Sequence, residues 1–149
     1  MFPKVLREHG FDLVVHDDEY PQIGSYDPWL FYECGKRKLI VITSDKRFMK
    51  SFPHMAAIAL GRTTVLAFTN NSYESRVRSA AFIKSFPEMY EHLKQMGGKP
   101  FIGSVGMSGE FRIVQVNPWP NRVQCDQRDW DSFEDVCRQE GVLALAPSH

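Results

Sequence analysis

The chain lacks a net charge: 18 Lys and Arg stand against 18 Asp and Glu. No overall field therefore draws in nucleic acid. It also lacks a paired-cysteine motif. Cys34, Cys125 and Cys137 are odd in number, widely spaced and form no CxxC. That argues against a disulfide framework or a zinc site, and for three reduced thiols in the cytosol. No apolar run reaches membrane-spanning length. The N-terminus has neither the basic region nor the apolar stretch of a secretory signal. A soluble cytoplasmic protein with no membrane partner is the expectation. No internal repeat or low-complexity segment interrupts the sequence.

What is present is an aromatic-rich globular composition. The 149 residues suffice for one domain with a sizeable core, and 11 Phe and 5 Tyr promise an aromatic interior. Phe2 to His9 reads as a short helix ended by Gly10, and Phe11 to His16 as a strand. Asp27 is placed to cap a helix beginning at Pro28, which Gly35 and the basic triplet Lys36, Arg37 and Lys38 close. Leu39 to Thr43 reads as a strand apolar on both faces, followed by a helix over Pro53 to Leu60 and a strand over Thr63 to Thr69. Ser72 is placed to cap a long helix toward Met96, which Pro87 should kink or split. Phe101 to Met107 and Phe111 to Val116 read as a hairpin. Trp130, Phe133 and Cys137 give a short amphipathic tail helix. This alternation predicts an α/β sandwich of three layers, with a mainly parallel sheet, a C-terminal hairpin and a tail helix. Residues 1–116 would form the main domain and 117–149 the tail.

Charge is unevenly placed. "LIVIT" runs into Ser44 and Asp45, and "FDLVVH" into Asp17, Asp18 and Glu19. In open α/β sheets, ligands bind beyond the carboxyl ends of the strands. If those strands are neighbours, their acids share one rim, with Asp27 at a nearby helix start. Crowded carboxylates repel, and a divalent cation relieves the repulsion. Mg²⁺ suits a few hard oxygens, and a bound metal can lower the pKa of a water and polarise a phosphoryl oxygen. Lys46, Arg47, Lys36 and Arg37 would then face incoming phosphates. The plainer reading is that each acid caps a helix or solvates a turn.

Three segments carry a resemblance: "LREHGFDLVVHDDEYP", "DPWL" and "GKRKLIVITSDKRF". Together with the later "SFPEMYEHL" and "PFIGSV", they resemble the PIN-like nuclease domains of the VapC-type toxin group, over about Phe2 to Val116. The resemblance implies a PIN-like α/β/α fold, ribonuclease activity dependent on Mg²⁺ or Mn²⁺, and an antitoxin partner. It places Asp18 (or Asp17), Asp27 and Asp45 as catalytic metal carboxylates. An RNA substrate and a homodimer complete the expected partners. Such domains usually open with a strand ending in an aspartate, ahead of the helix matching Phe2 to His9. That strand is not in this chain. Either the start was assigned too late, or the chain is a degenerate, non-catalytic relative that binds a protein or RNA.

Other residues carry plainer expectations. Trp29 should pack its helix onto the sheet, with base stacking secondary. Trp119 and Trp130 should fix the tail to the body. His9, His54 and His92 lack metal spacing and read as surface, and His16 as a structural histidine. Ser44 has no evident His partner. The acidic tail helix could fold back over Lys36 to Lys38 and shield the site.

Overall fold

The computed structural model describes Glu8, Gly10, Gln22, Gly24 and residues 27–69, 74–122 and 125–142. Along these the order is α1 (Pro28–Lys36), β1 (Val41–Thr43), a 3-10 helix (Lys46–Lys50), α2 (Phe52–Gly61), β2 (Val65–Phe68), α3 (Ser75–Met96), β3 (Phe101–Val105), β4 (Phe111–Val116) and α4 (Gln127–Glu140). The sheet runs β1-β2-β3-β4 in sequence order. β1, β2 and β3 are parallel, and β4 returns antiparallel beside β3.

Side-chain alternation along the strands produces the layering. Val65 and Ala67 point to one face, where with Val41 and Ile102 they meet Phe31 of α1, Phe48 of the 3-10 helix, and Met55 and Ile58 of α2. Leu66 and Phe68 point to the other face, where with Phe101, Val105 and Phe111 they meet Phe82 and Met89 of α3. Every residue of β2 is buried because helices cover both faces. Among the described residues the chain is therefore α/β, with a four-stranded, mostly parallel sheet between helices.

A third apolar cluster sits away from the sheet. Trp119, Trp130, Phe133, Cys137 and Val142 pack onto Ala56 and Ala59 of α2. The two tryptophans thus fix the tail helix to the body, as expected. Burial drives the Cys137 thiol pKa up to about 11, so it stays protonated at neutral pH.

Several expectations are corrected. Pro87 does not split its helix: α3 runs unbroken from Ser75 to Met96. Phe82 and Met89, on either side of the proline, are held in the same core, and this packing outweighs the hydrogen bond that proline removes. The α3 N-cap is Glu74, with no side-chain cap bond; Ser72 lies outside the described residues. β1 is shorter than Leu39 to Thr43 and only half-buried, with Ile40 exposed. Trp29, expected to pack α1 onto the sheet, is 44% exposed. His54 is buried rather than on the surface, and His92 is half-buried, its ring 5.3 Å from that of Phe111. The expected Phe11 to His16 strand, His16 itself, and the helix over Phe2 to His9 (Glu8 apart) lie outside the described residues.

Candidate functional site

Two charged regions stand at opposite ends of the sheet. The first is the rim beyond the carboxyl ends of β1 and β2. Asp45 follows β1 and begins the 3-10 helix, its Oδ1 accepting from the Arg47 backbone N–H at 3.0 Å. The Arg47 guanidinium folds back over the same carboxylate, with Nε at 3.0 Å from Oδ1 and Nη2 at 2.6 Å from Oδ2. These Arg47 bonds hold the Asp45 carboxyl below its usual pKa, against a smaller opposing effect of burial. Lys46 Nζ donates to the Thr69 carbonyl just past β2, at 2.6 Å. The charges therefore surround a tight turn that sends Phe48, fully buried, back into the core against Phe31.

Asp27 has a similar local role. Its Oδ1 accepts from the Trp29 backbone N–H at 2.9 Å, capping α1 as its sequence position predicts. One turn further on, the Phe31 ring lies 5.6 Å from that of Phe48 and 5.4 Å from that of His54. Asp27 and Asp45 thus flank one aromatic contact, each engaged by its own helix start. Asp17 and Asp18 lie outside the described residues.

Sequence reasoning missed a pair beside this rim. Ser51 Oγ and His54 Nδ1 are 2.6 Å apart at the start of α2. The legible signal was the spacing: a Ser before a helix and a polar side chain three residues later, as in a capping box. Ser51 makes no side-chain cap bond of its own, so the pair orders the first turn of α2.

The second region is an open groove of about 610 Å³ at the opposite end, where the chain enters the strands. Lys36, Lys38, Arg62 and Glu140 line it, with Ile40 and Leu60 among its apolar residues. Lys36 Nζ donates to Glu140 Oε2 at 2.9 Å, and Arg62 Nη2 donates to the Gly141 carbonyl at 3.3 Å. The Glu140 bond raises the Lys36 pKa. The tail helix therefore reaches Lys36, as the fold-back expectation had it, but at the far end of the sheet from Asp45, where it does not shield the rim. The groove's base is tight. Gly35 of α1 faces Gly61 of α2, and a Cβ at Gly35 would collide with Thr63 Oγ1 and the Gly61 carbonyl oxygen. Thr63 Oγ1, fully buried, donates to the Phe31 carbonyl at 2.6 Å and locks that crossing.

The expected site residues are thus divided. Asp45, Lys46 and Arg47 share the rim, with Asp27 one turn from the Phe31–Phe48 contact beside it. Lys36 borders the far groove, Arg37 follows it in sequence as the α1 C-cap, and neither is brought to Asp45. Among the described residues, no three His, Cys, Asp or Glu side chains come together to hold a metal ion. Two carboxylates already bonded as caps do not fit a metal centre by themselves. No described helix is long and apolar enough to cross a membrane. No family model matches the chain, and neither a curated protein nor a solved structure does.

Proposed function

We propose that the chain is a PIN-like, metal-dependent ribonuclease whose site is the rim at Asp45. The observation that carries this reading is the position of Asp45 at the carboxyl end of a parallel strand, ionised and flanked by Lys46 and Arg47. Asp27 at the α1 start and Asp17 or Asp18 would complete the carboxylates for Mg²⁺ or Mn²⁺. The metal would supply an activated water and polarise the phosphodiester. Lys46 and Arg47 would meet the phosphate. An antitoxin partner and a homodimer belong to the same reading.

The pairing of Asp45 with Arg47 favours a second reading, a non-catalytic module that binds RNA or protein. Both Asp45 oxygens are already taken by one guanidinium. Asparagine separates the two because it caps a helix nearly as well as aspartate but carries no charge. RNA cleavage with Mg²⁺ or Mn²⁺ is therefore compared among the native chain, Asp27→Asn and Asp45→Asn. The nuclease reading expects each variant to lose at least about 100-fold in rate, since even an outer-shell metal partner is worth up to that much in activity. Native-level cleavage by Asp45→Asn would remove the rim from the chemistry. Absence of cleavage by the native chain, with RNA still bound, would establish the binding module.

A further inference from the structure

Three described non-glycine residues adopt a positive φ: Lys38 at 58°, Arg62 at 53° and Asn117 at 49°. Two of the three line the same groove. Lys38 follows the α1 C-cap, where its N–H bonds the Gly35 carbonyl and that of Leu39 bonds the Cys34 carbonyl. Arg62 ends α2 in the same way, with its N–H on Ala59 and that of Thr63 on Ile58. This is the left-handed closing position at which glycine is strongly favoured and a side chain is strained. At both helix ends the chain places a long cation there. Cations near helix C-termini are ordinary; cations at the strained position itself, on two helices facing one groove, point to a use for the charge.

The groove also holds an internal anion. Glu140, the last residue of α4, lies against Lys36 and leaves Lys38 and Arg62 as excess positive charge on the lining. We propose that this groove is a binding site for the di- or triphosphate group of a small molecule, with Glu140 as its internal competitor. More than one cation suits a ligand of more than one charge, and a guanidinium matches phosphate geometry. A long nucleic-acid strand is disfavoured because α4 carries Asp129, Asp131, Glu134, Asp135 and Glu140 beside only Arg128 and Arg138. The site lies at the far end of the sheet from Asp45 and does not depend on the nuclease reading.

Calorimetry of the full chain with inorganic pyrophosphate at low salt tests this. The native chain binds, and Glu140→Gln binds about two- to fivefold tighter, the worth of an exposed ion pair. Lys38→Gly and Arg62→Gly separate binding from folding. Each relieves backbone strain and raises Tm by about 2–4 °C, yet weakens pyrophosphate binding at least about fivefold, the loss of one charge-assisted bond. No binding by Glu140→Gln, or equal affinity in the two glycine variants and the native chain, would overturn the proposal. So would binding of a single-stranded oligonucleotide without binding of pyrophosphate.

Discussion

The rim and the groove both gather charge at an end of the sheet, but they are built differently. At the rim the carboxylate's partners are sequence neighbours: Asp45 binds the backbone and side chain of Arg47, two residues on, while Lys46 reaches the Thr69 carbonyl past the adjacent strand. At the groove the partners are 104 residues apart, Lys36 of α1 and Glu140 of α4. A local pair can form as soon as its turn does. A distant pair waits for the tail helix to dock through Trp119, Trp130 and Phe133. The Asp45–Arg47 pair is thus a property of one turn, and the groove a property of the assembled domain.

The comparison is sharpened most by removing what anchors the rim. Phe48→Ala should lower unfolding free energy by about 3–5 kcal/mol, read from the urea midpoint, because Phe48 is fully buried between α1 and α2. A loss under about 1 kcal/mol would mean the turn does not depend on its core anchor. Beneath the groove, Gly35→Ala should cost about 1–3 kcal/mol, since the added methyl meets the Gly61 backbone and the buried Thr63 hydroxyl, which its bond to the Phe31 carbonyl holds in place. An unchanged midpoint would mean that α1 and α2 can separate without penalty.

The remaining changes touch charge. Asp45→Ala should cost about 1 kcal/mol and Asp45→Asn clearly less, because asparagine keeps the cap. The sign of the pH effect follows from the lowered Asp45 pKa. Its contribution is present in full above the ordinary carboxylate value of 3.8. It is lost as pH falls through the lower folded value. The native chain and Asp45→Asn should therefore converge in stability below that value; a gap persisting into strong acid would contradict it. Smallest of all, Glu140→Gln should alter stability by about 0.5 kcal/mol or less, since both partners of its ion pair are substantially exposed. A larger loss in thermal melting would show that Glu140 holds the tail helix in place.

How much of this was legible depends on how local the cause is. The Asp27 cap and the hairpin from Phe101 to Val116 each follow from residues within a few positions. Burial was less legible. His54 looked like a polar surface residue, yet Phe31 and Ser51 enclose it from two elements. Trp29 looked like a packing residue, yet it is exposed while the adjacent Leu30 and Phe31 take the buried positions of that turn. Pro87 reads as a break because the backbone rule is local, while the packing that overrides it is not. At the candidate site, the sequence placed Asp45 at a strand end correctly but grouped Lys36 and Arg37 with it. Charge proximity along the chain does not report which end of a strand a residue occupies.

The sequence by itself determined the alternation of helices and strands, the caps at Asp27 and Asp45, and the amphipathic tail, because each depends on short-range geometry and periodicity. Only the tertiary structure decided that the basic residues divide between two ends of the sheet, that α4 closes onto Lys36, and that Lys38 and Arg62 share a groove. Those outcomes depend on which distant surfaces bury one another, and no local pattern of residues encodes that choice.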